Sequence, residues 1–355
     1  MRRELMDYGF VFDGTFKLSW AQQRELVKLA ADLGYTSGWA PGGVTSRDGI
    51  LTALQWAQAA GGRLRTGTSV TVAPFWTPAS LASQAATAAE LTDGRFVLGI
   101  GSGAAHEPGT LAAYDMPVRP VVSLMRDYLH ILRGLLDGEE VDYSGKALSL
   151  RGVRLGFKPP RVPIYVGALG PQMVKLAGEL ADGVIPSWSS PEQVAWGKQL
   201  TAAAARKAGR EPSDVKWVGF VRMCIDQDAD RARRAFAESL LRYGLARPGA
   251  DRDRSFRAHF ARMGFDDELR RLEAQRDAGT PIADLVDVVP IELMQHVGYF
   301  GGPEGAPEAF HRLARGLDTA LLRMITTEAG PEKVALALES VQPARVEDRV
   351  GARVR

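Results

Sequence analysis

The stretch Leu91-Thr92-Asp93-Gly94-Arg95-Phe96-Val97-Leu98-Gly99-Ile100-Gly101-Ser102-Gly103 decides how this chain is read. A helix stops at the turn Asp93-Gly94, a short apolar run from Arg95 to Gly99 follows, and the run ends in alternating glycines. A helix, a tight turn, a buried strand and a loop make one unit of a parallel βα repeat. The same unit recurs on both sides. Towards the N-terminus the predicted strands are Tyr8–Phe12, Thr36–Ala40 and Thr66–Val72. Towards the C-terminus they are Pro163–Gly167, Gly183–Pro186, Trp217–Ile225 and Thr319–Ile325.

Helical segments separate these runs. Ser19, with Gln22 three residues on, predicts a capped helix that stops at Gly34 and buries Leu26, Leu29, Ala30 and Leu33. Others lie near Ile50–Ala60, from Thr77-Pro78, near Val121–Leu136 and from Pro171, the prolines standing where helix starts favour them. Eight strands, each trailed by a helix, in 355 residues predict an α/β protein with a closed (β/α)8 TIM barrel. Two stretches depart from the rhythm. Val141-Asp142-Tyr143 and Ala147–Leu150 around Ser144-Gly145-Lys146 predict a β-hairpin inserted before the fifth strand. Between the seventh and eighth strands lies far more chain than one helix needs, including the charged run Arg247–Arg254, and this predicts a helical insertion over the barrel mouth. Residues 1–342 read as one barrel domain and 343–355 as a charged, loose tail.

Composition narrows the class. With 45% hydrophobic and 24% charged residues the chain is an ordinary globular one, not a disordered one. Lys+Arg at 44 against Asp+Glu at 42 argues against a nucleic-acid partner. The single Cys224 excludes a disulfide framework. No apolar window approaches the length of a membrane span, and the charged start carries no signal-like stretch, so the expectation is a soluble, cytoplasmic protein without a membrane partner.

In such a barrel, chemistry sits at the carboxyl ends of the strands. Gly99-Ile100-Gly101-Ser102-Gly103 lets backbone approach a flat or anionic ligand, or simply closes a tight turn; its spacing is not that of a dinucleotide fold. Gly167-Ala168-Leu169-Gly170-Pro171 leads into a helix start, which is either a phosphate seat or a well-formed βα turn. Gly67-Thr68-Ser69-Val70-Thr71 puts small hydroxylated residues where a barrel interior favours Val or Leu. Trp39 either stacks on a planar ligand or belongs to the core. The five histidines show no zinc spacing, so no metal is expected. His130 reads as structural, Cys224 as buried filler, and no nucleophile elbow is present.

Taken together, Gly67–Thr71, Leu91–Gly103, Pro163–Pro171 and Leu176–Val184 resemble the luciferase-like flavin and deazaflavin oxidoreductase superfamily. The similarity is greatest to its F420-dependent, methylenetetrahydromethanopterin reductase-like branch. It spans about residues 8–225 and returns near Gly301-Gly302-Pro303-Glu304. The resemblance implies coenzyme F420, with FMN as the alternative, and hydride transfer between the deazaflavin and a small organic substrate. It implies a non-proline cis peptide at Ser69-Val70, with Ser69, Val70 and Thr71 behind the ring. Gly101, Ser102 and Gly103 would line the cofactor side chain, and Ala168, Leu169, Gly170 and Pro171 would hold its phosphate. Trp39, Ser187 and Trp188 would border the ring, and the chain would form a homodimer.

Two departures stand out. Gly42-Gly43 replaces an Asp-His pair of related dehydrogenases, and Ala104 replaces a glutamate. Neighbouring His106 and Glu107 are weak substitutes, so the catalytic residues stay unassigned and a sugar-phosphate substrate is disfavoured. Trp39, Phe75, Trp76 and Trp188 suit a conjugated or cyclic organic substrate. Competing readings are an FMN-dependent monooxygenase and a non-catalytic F420-binding protein.

Overall fold

Val11, Trp39, Val97, Tyr165, Ile185, Val218 and Leu321 come from seven different strands and meet in one buried cluster. Inward-facing side chains that converge this way require a closed sheet, and the strand ladders supply it. The strands are β1 (Asp7–Val11), β2 (Ser37–Ala40), β3 (Arg65–Thr68), β4 (Thr71–Val72), β5 (Phe96–Gly101), β6 (Val141–Ser144) and β7 (Ser149–Val153). They continue with β8 (Ile164–Gly167), β9 (Gly183–Ile185), β10 (Lys216–Ile225), β11 (Gly298–Gly301) and β12 (Thr319–Ile325). Parallel pairing runs β1-β2-β3-β5-β8-β9-β10-β12 and returns to β1, the predicted eight-stranded barrel. The structure is a computed structural model and describes residues 6–43, 45–104, 107–248, 251–253 and 255–353.

Helices cover the outer face: α1 (Trp20–Asp32), α2 (Gly49–Ala59), α3 (Pro78–Leu91), α4 (Pro108–Ala113), α5 (Val121–Leu136), α6 (Pro171–Leu180) and α7 (Pro191–Lys207). The Ser19 capping box is present in full, with Ser19 Oγ accepting from the Gln22 amide and the Gln22 side chain accepting from the Ser19 amide. Such a box satisfies two orphan donors and is worth about 1 kcal/mol. Trp56 on α2, fully buried, packs on Phe10 and Phe12 of the first stave and its indole donates to Gln23 of α1 at 2.9 Å.

The hairpin β6–β7 is antiparallel, as expected. Buried Asp127 of α5 fixes it by accepting from the Ala147 amide at 2.6 Å, the Leu148 amide at 2.8 Å and the Tyr143 hydroxyl at 2.8 Å. His130 stacks on Tyr143 in the same contact, a structural role.

The third stave differs from the continuous strand expected over Thr66–Val72. It is broken into β3 and β4 around a cis Ser69-Val70 peptide. The ladder to β5 pairs Thr66 with Phe96 and Gly67 with Val97, then Thr71 with Ile100 and Val72 with Gly101. The register slips by one residue between them, so the stave carries a bulge. The Thr68 hydroxyl bridges the gap, donating to the Gly99 carbonyl at 2.7 Å and accepting from the Gly99 amide at 3.0 Å.

After β10 come α8 (Ala229–Gly244), α9 (Ser255–Phe260), α10 (Asp266–Asp277), α11 (Ile282–Leu285) and α12 (Ile291–Val297), which form the expected insertion. They build their own core of Phe236, Leu240, Phe260, Leu269, Leu285 and Met294. The insertion also contains β11, a strand the sequence did not announce. It pairs with Arg222–Ile225 of β10, beyond Lys216-Trp217 where β9 pairs. The barrel closes through α13 (Ala306–Leu313), β12 and α14 (Pro331–Ser340). The tail expected to be loose is instead helical as α15 (Pro343–Arg353), because Val346 is fully buried in the main core and Pro343 sits 3.7 Å from the Cβ position of Gly34.

Candidate functional site

The bulge in the third stave organises one side of the mouth. Ser69 donates its amide to the Ala40 carbonyl at 2.8 Å, and the Val70 carbonyl accepts from Gly42 at 3.2 Å. A Cβ on Gly101 would lie 2.7 Å from Val70 Cγ2, and one on Gly167 would lie 3.4 Å from Val70 Cγ1. Val70 is therefore wedged between the ends of β5 and β8. A Cβ on Gly103 would meet Val72 at 2.8 Å. Gly101 and Gly103 thus owe their identity to the bulge, and Ser102 between them is half-buried. Thr71 is buried with its Oγ1 unpartnered.

Beside it lies the start of α6. Gly170 is its extended N-cap, with no side-chain cap and nothing within 4 Å of its Cβ position. The positive end of an uncapped helix, with Arg262 donating to the Leu169 carbonyl at 3.2 Å beside it, is a setting that favours an anion. The Ala168 amide is already engaged with the Ile185 carbonyl at 3.3 Å, so of the expected phosphate residues Leu169, Gly170 and Pro171 border the open seat.

Both expected tryptophans are placed elsewhere. Trp39 is 2% exposed, fills the barrel over Gly67 and donates to Ser37 Oγ at 3.0 Å. Trp188 is fully buried under the insertion, against Phe236, Tyr243 and Phe260. It adopts a left-handed φ of 53° and its carbonyl accepts from His259 Nε2 at 3.0 Å. Burial, then nearby Arg262, pushes the pKa of His259 down to about 4, so the ring is neutral at pH 7. Both tryptophans are buried in protein contacts; Phe75 and Trp76 remain half-buried near the bulge.

The opposite wall carries charge that the sequence reading did not single out. Arg323 of β12 pairs with Asp13, which follows β1. Burial raises the Asp13 carboxyl, but Arg323 and the hydrogen bonds from Thr15 outweigh it and hold the group below the usual range. Arg222 of β10 is 5% exposed, donates to Ser187 Oγ at 3.0 Å and lies 3.9 Å from the Trp188 ring centroid. A lone arginine inside each of two apolar strands was the available signal. Of the suggested acid/base substitutes, Glu107 is ion-paired with Arg247 of the insertion at 2.8 Å, and His106 lies outside the described residues. Among the described residues no cluster of His, Cys, Asp and Glu could hold a metal, and no helix is long and apolar enough to cross a membrane.

A parallel eight-stranded barrel with a bulged third stave, a glycine-edged mouth and an inserted helical segment defines an α/β-barrel protein with an uncapped helix start at its rim. The chain belongs to the luciferase-like monooxygenase family, whose model matches residues 8–320. It is 35% identical to the 5,10-methylenetetrahydromethanopterin reductase of Archaeoglobus fulgidus over 211 residues, 59% of this chain and 62% of that protein. It is 34% identical to the F420-dependent glucose-6-phosphate dehydrogenase of Microbacterium testaceum over 188 residues, 51% of this chain and 56% of that one. The chain thus matches less than two thirds of the length of these relatives. In fold it matches the coenzyme F420 dependent tetrahydromethanopterin reductase from Methanopyrus kandleri with a TM-score of 0.76 at 20% identity, over 95% of this chain and 98% of the other.

Proposed function

We propose that the protein is a coenzyme F420-dependent oxidoreductase acting on a small organic substrate. The observation that carries this reading is Val70, locked between Gly101 and Gly167 beside an uncapped, open helix start at Gly170. A raised apolar side chain and an anion seat on one rim suit a planar ring with a phosphorylated tail. Unpartnered Thr71 Oγ1, 3.4 Å from the Cβ position of Gly42, adds a buried polar atom to the bulge. Relatives of 34–35% identity named for F420 or for methanopterin reduction support the same assignment.

When bound, the deazaflavin supplies the hydride donor or acceptor. The protein's part is to bind and orient. Val70 backs the ring, the first amides of α6 with Leu169 and Gly170 hold the phosphate, and Ser102 borders the side chain between them. The aromatic core of the insertion keeps water from the β9–β10 side of the mouth. Arg262 of the insertion donates to the Leu169 carbonyl at 3.2 Å and brings a cation to the phosphate end of the seat, so these residues act by binding and positioning.

Fluorescence quenching titrations with F420 and with FMN test the reading. F420 is expected to bind at least tenfold more tightly, and tighter binding of FMN would overturn it in favour of a flavin monooxygenase. Sedimentation analysis of the same preparation tests the homodimer that the reading includes.

A further inference from the structure

Alternation along β10 turns Val218, Phe220 and Arg222 towards the barrel axis, since Val218 belongs to the interior cluster and Phe220 packs against it. On β12 the same parity carries Leu321 and then Arg323. Arg222 stands directly opposite Arg323 in the ladder, and Arg323 opposite Val11, two residues before Asp13. Two guanidinium groups and one carboxylate are therefore gathered at the inner rim, on the wall facing away from Val70.

Their charges do not balance. Asp13 pairs with Arg323, while among the described residues no carboxylate forms an ion pair with Arg222. Burial, and then repulsion from Arg323, pulls the Arg222 pKa down to about 9, which still leaves it cationic at neutral pH. The Nη1 atoms of both Arg222 and Arg323 are buried without a hydrogen-bond partner. A buried cation with unmet donors is strongly unfavourable unless an anion or water completes it. Stacking on Trp188 and the Nη2 bond to Ser187 offset part of that cost but leave Nη1 unused.

We propose that Arg222 and Arg323 form a carboxylate-binding subsite, so that the substrate of this barrel is a monoanionic organic acid. The net charge of the trio is one positive, which a carboxylate neutralises and a phosphate dianion overshoots. The planar forks of two arginines match the two oxygens of a carboxylate. Half-buried Phe220, two residues before Arg222 on the same face, gives the acid's carbon skeleton an apolar floor. The inference rests on the F420 reading for the reaction, but not for the binding of the acid.

The test uses acid and amide pairs of equal shape: benzoate with benzamide, cyclohexanecarboxylate with its amide, and acetate with acetamide, together with inorganic phosphate. Each is titrated into the full chain with and without F420, by calorimetry and by tryptophan fluorescence, for which Trp188 is the nearby reporter. At least one acid is expected to bind tenfold or more tightly than its amide, with phosphate no tighter than acetate. Arg222→Met removes the charge at similar length and is expected to abolish the preference while F420 affinity stays within threefold; Arg222→Lys keeps part of it.

If every acid binds like its amide, the arginines are completed by water alone and the proposal fails. It fails equally if the preference survives in Arg222→Met, if phosphate is preferred, or if coenzyme affinity falls in step with acid affinity. Should Arg222→Met not fold, Arg222→Lys and the comparison on the unaltered protein decide alone. Acid preference without any F420 binding would remove the coenzyme reading and leave the subsite standing.

Discussion

His259 Nε2, on α9 of the insertion, lies 3.0 Å from the carbonyl oxygen of Trp188, the residue that turns the chain after β9. A carbonyl can only accept, so this nitrogen carries the proton, and the Nδ1 atom is left bare and unpartnered. The contact ties the insertion to the barrel and by itself favours the charged ring, but burial and nearby Arg262 outweigh it and keep the ring neutral.

Burial of the uncharged imidazole sets an acid limit. His259 is neutral in the folded protein down to about pH 4, whereas an unfolded histidine protonates near 6.5. Below about pH 6.5 the unfolded chain takes up a proton that the folded site refuses, so stability falls with pH. The loss is complete near pH 4 and amounts to about 3 kcal/mol. Urea unfolding at stepped pH should show a shallower decline between these limits for His259→Gln, and parallel curves would rule the site out as the cause.

Gly99 is fixed by close approach. A Cβ there would lie 1.9 Å from the Thr68 carbonyl oxygen and 2.9 Å from Ile185 Cδ1, and backbone on two strands cannot yield to it. Gly99→Ala should therefore cost about 3 kcal/mol or more, at the upper end of overpacking effects. Thermal unfolding measures it; a change within 1 °C would mean that the β3–β5 contact is looser than described.

Gly170→Asp should separate stability from binding. An aspartate at an N-cap satisfies free amides and meets the positive helix end, which raises stability by up to about 1 kcal/mol. The same carboxylate repels a phosphate, so F420 affinity should fall at least tenfold. A folded variant with unchanged affinity would place the phosphate elsewhere.

Cys224 should be inert. Burial, reinforced by the Asp226 carboxylate, pushes its thiol up to about 12, and the residue is fully covered. Ellman's reagent is expected to find no thiol in the native protein and one per chain after denaturation. Rapid native labelling would show that the insertion opens far more readily than its core implies.

The barrel was legible in the sequence because buried parallel strands and amphipathic helices each write a period into the chain. Ser19 with Gln22, Thr77-Pro78 and the hairpin around Gly145 carried local signals of their own, and the structure places them as read. β11 escaped notice because Gly298-Tyr299-Phe300-Gly301 is short and glycine-bounded, and it becomes a strand only by pairing with β10. The loose-tail reading failed because the charges of 343–353 hid Val346, whose burial depends on α13 being beside it. The tryptophans misled for a related reason. An aromatic at a strand end looks alike in a list of residues whether it faces a ligand or fills the space left by Gly67. Arg222 and Arg323 were visible as interruptions of apolar runs, but only the ladder brings them side by side.

The split allegiance of β10 has a consequence for diversification. Its first residues close the ring with β9, while its last four are shared with β11 and carry the cover. Drift in residues 226–318 can remould one half of the rim through that strand. The half built by β3, β4, β5 and β8 shares no ladder with β11 and meets the insertion through side chains, Arg262 on the Leu169 carbonyl and Arg247 on Glu107. New chemistry could be explored on the first half while those two arginine contacts alone carry the change to the second.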